Sequence, residues 1–407
     1  MIVPEYINRS FFEQVLKCGF KLQDFKLLNY DIQFGCAPGE NYCSTIYRVV
    51  INYQDKDGKE KRVQCIVKFL LNSDLGKQLM ARSKVYEKEV DMFDRIFPKL
   101  SNIAGGTIFG PRFYYTLNDE NAKIIVVEDL GEMGLKMANR QELLDFNHCE
   151  LALKKLGKMH AASMILADED PTLMNLYNFG LMEGTIEDPG LLQQCYKGTF
   201  PMLCDIVKTW PGYEDIAKKM EKLKPNIWEH FYDCAKTKLD GYRVLNHGDF
   251  WINNFLFKYD EQTRKPIDIV FVDLQFSYYS SPAHDLQYFL NNSPTLEVRE
   301  NQRESLLRVY YDAFRQTLED QKQTNIPSFG DLLEDMGKRE MYGFFTATHI
   351  FPVIVMERQS EQGSGIDGLI DEEAAKDMLK IMLTGKRFAE VARSFLKHFD
   401  KMKVLDL

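Results

Sequence analysis

VLNHGDFWINNFLFKY, residues 244–259, is strand-like in its apolar and aromatic content, yet His247, Asp249, Asn253 and Asn254 cluster in it where a buried strand holds few polar groups. A second run, PIDIVFVDLQFSYY (266–279), comes after DEQTRK in hairpin fashion and carries Asp273. Asn254 lies five residues after Asp249, and Asp273 lies 24 after it. Groups of this kind at such spacing point to a site, and the rest of the chain is read outward from them.

Around the hairpin, from Gly131 onward, helical signals dominate. Ala152, Leu156, Met159 and Ser163 share one helix face at offsets of four, three and four. Before Gly131 the pattern is that of a small sheet with one helix. STIYRVVINY (44–53) and KRVQCIVKFL (61–70) are β-branched and aromatic runs, and the Asp57-Gly58 pair between them predicts an antiparallel hairpin. SKVYEKEVDMFDRIFPKL (83–100) has helical spacing through Val85, Glu89 and Phe93, with Pro98 as its predicted stop. Arg112–Leu117 and Lys123–Leu130 are two further short apolar runs. Ile7, Phe11 and Val15, four apart, predict an entry helix over 5–20. SNIAGG (101–106) and SEQGSGIDG (360–368) read as loops. The shift in pattern sets a boundary near 130, giving units of 1–130 and 131–407.

The 407 residues suffice for two or three such units and a sizeable core. Hydrophobic residues at 45% with 27% charged exclude a disordered or low-complexity chain. A net charge of −9 argues against nucleic acid as partner, because phosphate backbones want a basic surface. A small or neutral molecule is the expected partner. The eight cysteines show no CxxC pair, so neither a zinc site nor a disulfide framework is indicated, and reduced thiols in the cytoplasm are the simplest account. Pro4, Glu5 and Arg9 interrupt the stretch where a secretory signal needs an apolar run, and no segment reaches about 18 apolar residues. A cytoplasmic location without a membrane span is therefore expected.

Phosphoryl transfer needs a carboxylate to direct an acceptor hydroxyl, plus an amide and a second carboxylate to hold magnesium against a triphosphate. Asp249, Asn254 and Asp273 supply all three in the order of the kinase pattern, H-x-D-x₄-N and then a metal-binding Asp on the next hairpin strand. Asp and Asn in turns are otherwise caps or Asx-turns, so the weight comes from residues upstream of them. Lys68 sits inside the apolar strand CIVKFLL, where it is either a snorkelling edge residue or the strand lysine that contacts phosphates. Glu89, 21 residues on, lies on the apolar stripe of the next helix and is preferred to Glu87 as its ion-pair partner. GCAPGENYCSTIYRV (35–49) supplies a Gly- and Ser-bearing loop suited to backbone contacts with phosphates, although it is not G-x-G-x-x-G. IIVVEDLGE (124–132) ends an apolar strand at Glu128, Asp129 and Leu130, which form either a hinge for an adenine edge or the cap of the next turn. His160, on the inward face of a helix, reads as a hydrogen-bonded core histidine before a catalytic one.

The ordered set GENYCSTIYRV, CIVKF, YEKEVDMF, VVEDL, HGDFWINNFLF, FVDLQ and SPAHDLQYF resembles the ecdysteroid-kinase-like (CHK kinase-like) family of invertebrates, which is related to choline and aminoglycoside kinases. The likeness runs from about residue 30 to 290. It implies an α+β, bilobal protein-kinase-like fold, with a small antiparallel-sheet lobe and a larger helical lobe. It implies Asp249 as catalytic base, His247 orienting the catalytic loop, and Asn254 and Asp273 as magnesium ligands. Lys68, paired with Glu89, would contact the phosphates of ATP under a loop that includes Gly39, Glu40, Asn41 and Ser44, with the hinge at Glu128, Asp129 and Leu130. Asp285 in SPAHDL would brace the loop from below, or else simply begin a helix after Pro282. Because family members hold the acceptor against the helical lobe, Tyr278, Tyr342, Phe345 and His349 become pocket candidates, although aromatic runs most often mean core.

The expected reaction is transfer of the γ-phosphoryl group of Mg-ATP to a hydroxyl of a small acceptor. A steroid alcohol such as an ecdysteroid leads by family likeness, with choline-like and xenobiotic hydroxyls as alternatives. A ligand-binding sensor on the same fold would be expected to have lost Lys68, Asp249, Asn254 or Asp273, and all four are present. A protein kinase is disfavoured, because the 12 residues from Asp273 to Asp285 leave no room for a peptide-docking segment. Where protein kinases have D-F-G, this chain has Asp273-Leu274-Gln275.

Overall fold

The structure, a computed structural model, describes residues 4, 6–35, 44–70, 82–119, 122–182, 184–236, 241–356 and 372–407. Gly39, Glu40 and Asn41 of the expected phosphate loop, and the loop expected at 360–368, lie outside these residues.

Strands β1 (Phe25–Phe34), β2 (Ser44–Asp55), β3 (Glu60–Leu70), β4 (Phe113–Asn118) and β5 (Lys123–Glu128) form one antiparallel sheet in the order β1-β2-β3-β5-β4. The β2–β3 hairpin turns at Asp57-Gly58, where Gly58 takes φ +78°, a conformation that costs glycine nothing. Strand β1 was not foreseen. FKLLNYDIQF is an edge strand with polar residues on both faces, so its alternation is weak. The period of two then sorts the central strand. Cys65 and Val67 face Phe11, Phe12, Val15 and Leu16 of the N-terminal helix, together with Val49, Ile51 and Val126. Ile66, Lys68 and Leu70 point the other way, toward the helix that carries Glu89.

That helix does not stop at Pro98. It runs from Val85 to Asp91, passes through a π-helical turn at Met92–Ile96 and continues as Phe97–Ile103. Pro98 sits in the first turn after the π segment, where the hydrogen-bond register has already shifted and a missing N–H is tolerated. The expected loop at 101–106 is correspondingly helical as far as Ile103.

The remainder is mainly helical. The long helix Phe146–Glu169 packs along Arg303–Asp320, and a Cβ on Gly157 would lie 2.4 Å from the Tyr310 carbonyl oxygen, so the helices meet there on glycine. Embedded among the helices, β6 (Lys136–Met137), β8 (Phe255–Tyr259) and β9 (Pro266–Phe271) make a small sheet, and β7 (Val244–Asn246) pairs with β10 (Tyr278–Ser280). The run 244–259, read as one strand, is thus two strands separated by the loop that holds Asp249. Beneath that loop lies the helix Ala283–Asn292, every residue of which is buried. The architecture is α+β and two-lobed, a sheet with its helices on one side of the β5 exit and helices with short strands on the other. No helix among the described residues is long and apolar enough to cross a membrane.

Candidate active site

Lys68 lies on the central strand β3, paired with Ile46 on β2 and Ile125 on β5, and only 7% of it is exposed. Its Nζ donates to Glu89 Oε1 at 2.8 Å and Oε2 at 2.7 Å, and to Asp273 Oδ1 at 2.8 Å. Burial alone would lower the lysine's pKa, but the Asp273 and Glu89 carboxylates outweigh it and raise the value, so the side chain is a cation. Burial is likewise the largest influence on Glu89, pushing it up while Lys68 opposes. Through the shared Lys68 ammonium, Glu89 ties its helix to the Asp273-Leu274-Gln275 segment. Asp273 adopts φ +63°, a left-handed conformation uncommon outside glycine, and such backbone marks sites where side-chain aim is enforced by the surroundings.

The loop between β7 and β8 is fixed from three sides. Asp285, on the buried helix, accepts the N–H of His247 through Oδ2 at 2.6 Å and the N–H of Gly248 through Oδ1 at 2.9 Å. His160 bridges from below, with Nε2 3.2 Å from Asp285 Oδ2 and Nδ1 2.9 Å from the Tyr310 hydroxyl. It is a buried core histidine, and burial lowers its pKa. Gly248 has φ +83° and passes so close to the Phe276 carbonyl that a Cβ would lie 2.0 Å from that oxygen. His247 spans the hairpin, its Nε2 donating to the Val272 carbonyl at 3.0 Å and its Nδ1 receiving the Asp249 N–H at 3.4 Å. Burial holds its pKa below the usual value, so it is neutral and acts as a strut between the two segments.

Asp249 is partly exposed and accepts three side-chain hydrogen bonds. Trp251 Nε1 donates to Oδ2 at 3.2 Å, Asn254 Nδ2 to Oδ2 at 3.0 Å, and the Tyr288 hydroxyl to Oδ1 at 2.7 Å. Burial, then the charge of Asp273, pushes its pKa up to about 6 against the pull of those donors. Asn254 also donates to the Asp249 carbonyl at 2.8 Å, which commits its amide nitrogen to the loop and turns its amide oxygen away from it.

At the β5 exit, Asp129 is buried and spent on structure. Its Oδ2 accepts from Arg48 Nε and Gln64 Nε2, each at 2.6 Å, and its Oδ1 caps the adjoining turn at the Gly131 N–H. Glu128 accepts the Arg112 N–H at 3.3 Å, and Leu130 joins Leu135, Val270, Leu256 and Val272 in a small apolar cluster. Ser44 is buried at the start of β2, opposite Leu70.

The four acceptor candidates form an aromatic bank behind Asp249. Tyr342 has its ring centroid 6.5 Å from that of Tyr288 and 4.9 Å from that of His284, which lies 5.5 Å from the Tyr278 ring. Phe345 and His349 are fully buried, stacked 5.0 Å apart against Phe231 and Trp228. The side chain that does touch Asp249 from this side is Tyr288, which gave no local signal beyond that of a helix-core tyrosine.

A further contact was not legible at all. The segment after the long helix crosses onto the helix that bears Glu89. The Tyr177 hydroxyl donates to Asp91 Oδ2 at 2.7 Å, Lys88 donates to the Phe179 carbonyl, and Arg82 pairs with Asp188 at 2.8 Å.

A buried lysine ion-paired to two carboxylates, and a hydrogen-bonded aspartate in the loop before the β8–β9 hairpin that Asp273 follows, are an arrangement suited to phosphoryl transfer, and the class the chain falls in is that of small-molecule phosphotransferases with an alcohol acceptor. The model of the ecdysteroid kinase-like family matches residues 38–323, and the chain belongs to that family. Among solved structures it is similar to a putative fructosamine-3-kinase from Haemophilus somnus 129PT, at 12% identity and a TM-score of 0.37, over 91% of this chain and 96% of that one. It is also similar to a glucosamine kinase in complex with glucosamine, ADP and inorganic phosphate, at 13% identity and a TM-score of 0.35, over 82% and 92% of the respective chains. Among curated proteins none matches.

Proposed function

We propose that this kinase transfers the γ-phosphoryl group of Mg-ATP to a hydroxyl of an apolar ring compound, with a steroid alcohol of the ecdysteroid type as its leading acceptor, and that it works in the cytoplasm. Residues 1–130 form the nucleotide lobe in this reading, and residues 131–407 the lobe that carries the loop and the acceptor side. The observation that carries the reading is Lys68, held by Glu89 and Asp273 at 2.7 and 2.8 Å although these lie 21 and 205 residues away.

The residues present fit a magnesium ion that arrives with nucleotide. Asn254 offers an amide oxygen and Asp273 a carboxylate that is 29% exposed, both hard oxygen donors. Among the described residues no cluster of three or more His, Cys, Asp or Glu could hold a metal by itself, so phosphate oxygens and water would complete the shell. When bound, the ion neutralises charge on the β- and γ-phosphates. Lys68 would add a fixed positive charge at the phosphates, and the role of phosphate loop falls to Ser44 with Gly39, Glu40 and Asn41, of which the last three lie outside the described residues. Backbone groups of Glu128 to Leu130 would hold the adenine beside the apolar cluster around Leu130, since the Asp129 side chain is already committed. Asp249 receives or directs the acceptor's hydroxyl proton, with His247 and Asp285 holding its loop. Catalysis is then positioning and electrostatics without a covalent intermediate. Tyr278 and Tyr342, both buried, would flank the acceptor only once it displaces side chains over them, with Phe345 and His349 in the layer behind, an aromatic wall suited to an apolar ring system.

The test is phosphate transfer from Mg-ATP by purified protein across ecdysteroids, other sterols, choline-type amines and phenolic xenobiotics, run beside Asp249→Asn. Phosphorylation of the sterol class, abolished by the substitution, is the expected result. Transfer to the amines or phenols alone would replace the acceptor. Nucleotide binding without transfer to any class would favour a ligand sensor.

A further inference from the structure

An ionised carboxylate has about four lone-pair sites, two on each oxygen, and at Asp249 three are filled. Trp251 and Asn254 both donate to Oδ2, at 3.2 and 3.0 Å, which saturates that oxygen. Tyr288 alone donates to Oδ1, at 2.7 Å, and leaves it one site. The tyrosine cannot exchange roles with the carboxylate. Burial and the neighbouring Asp249 charge keep its pKa well above the usual value, so it remains an O–H donor. Nor is its ring free to swing, being 3% exposed on a helix buried throughout. Three residues earlier on that helix, Asp285 holds the backbone N–H groups of His247 and Gly248. Residues at i and i+3 share a face, so a single helix face fixes both the main chain of the loop and the direction of its carboxylate.

We propose that Oδ1 of Asp249 is the oxygen that receives the acceptor's proton and that Tyr288 is the positioning residue that aims it. The inference rests on Asp249 acting as the base of the kinase. In the step, the acceptor oxygen forms a bond to the γ-phosphorus while the bond from that phosphorus to the β,γ-bridging oxygen breaks and its electron pair leaves with ADP. The hydroxyl proton passes to Oδ1, and Asp249 ends as a carboxylic acid whose O–H lies beside the Tyr288 oxygen. Oδ2 stays on Trp251 and Asn254 throughout, so Asn254 keeps its aim while the proton moves on the other side.

The deciding variant is Tyr288→Phe, which removes one oxygen and keeps the ring, compared with Trp251→Phe, which weakens the hold on Oδ2 alone. In Tyr288→Phe, kcat is expected to fall by about 10²-fold, the order that a misplacement of about 1 Å costs, while KM for ATP stays near wild type. Its crystal structure should show the Asp249 carboxylate rotated from the wild-type orientation. Trp251→Phe should lose less. Wild-type kcat in Tyr288→Phe with the carboxylate unmoved would overturn the inference, as would a loss that Trp251→Phe equals, or one accompanied by an equally raised KM for ATP. Absence of turnover in the wild type would instead sink the kinase reading, and the carboxylate orientation in the Tyr288→Phe crystal would still decide whether Tyr288 aims it.

Discussion

Lys68 and Asp273 stand 205 residues apart and 2.8 Å from each other, and the same ammonium also closes on Glu89 from a third element. The lysine thus joins sheet, helix and hairpin. In Lys68→Met, Glu89, 1% exposed, keeps a buried carboxylate with no cation, and breaking a buried pair from one side costs about 3–5 kcal/mol. The deficit should shrink at low pH, because burial already raises the Glu89 pKa and the acid can then take up a proton and become neutral. Lys68→Met/Glu89→Gln should regain much of the stability and none of the activity. Thermal melts of the two variants from pH 5 to 8 check this, and a double variant as unstable as the single one would remove the ion pair as the cause.

Gly248 separates conformation from contact. Gly134 has a similar φ, +78° against +83°, but nothing within 4 Å of its would-be Cβ, whereas at Gly248 the Phe276 oxygen lies at 2.0 Å. Gly134→Ala should therefore cost about 1 kcal/mol, the penalty of a left-handed non-glycine residue alone. Gly248→Ala should cost at least about 2 kcal/mol more and abolish turnover, since relief of the clash displaces Asp249. Equal denaturation midpoints for the two variants would contradict the close approach.

The order of Lys68, Glu89, Asp249, Asn254 and Asp273 was legible because each is a polar residue at an apolar position, a local anomaly that needs a reason. The five-stranded sheet was legible only in part, since β2 and β3 are rich in β-branched residues while the edge strand β1 carries Lys26, Asn29 and Asp31. Pro98 misled because the rule that proline ends a helix assumes an unbroken α register, and the π turn before it shifts that register. Tyr288 and Tyr177 were not legible. Each makes its contact through a hydroxyl at the far end of an otherwise core-like ring, to carboxylates 39 and 86 residues away, and neither periodicity nor local spacing encodes such a pairing.

With Asp249 as the base of the proposed reaction, its titration sets the pH dependence. Its pKa in the fold is raised from 3.8 to about 6, first by burial and then by Asp273. A base must be ionised, so kcat/KM should fall tenfold per pH unit on the acid side of a limb near 6. In the proposed reading a magnesium ion held by Asp273 would cancel the second cause, and the limb measured with saturating metal should then lie below the one set by the protein alone. For stability the sign is opposite to that of a salt-bridged aspartate. The folded state holds the proton more tightly than the unfolded one, so this group favours the fold below about pH 4 and that contribution is lost as pH rises through about 6. Asp249→Asn should accordingly be inactive yet melt no lower than wild type at pH 7.5. A lower midpoint would mean that the carboxylate is stabilised by its three donors more than burial penalises it.

The strap over the Glu89 helix predicts a coupling between lobes. Tyr177 has no exposed surface, and its hydroxyl donates to Asp91, two residues past Glu89, while Lys88 and Arg82 reach Phe179 and Asp188 of the same segment. A few residues on from Tyr177, Gly180 packs on the Tyr278 ring, where a Cβ would lie 2.8 Å from the ring carbons. One segment therefore touches both the helix that holds Lys68 in place and the aromatic bank behind Asp249. Tyr177→Phe deletes a hydrogen bond to a carboxylate, worth about 1.5–3 kcal/mol, but Asp91 keeps Arg95 at 2.6 Å, so the fold should survive. Hydrogen exchange should quicken over residues 85–91, and KM for ATP should rise several-fold with kcat changed less, because the helix samples positions in which Glu89 releases Lys68. Faster exchange confined to residues 171–182, with ATP affinity unchanged, would show that the strap rests on the helix without holding it.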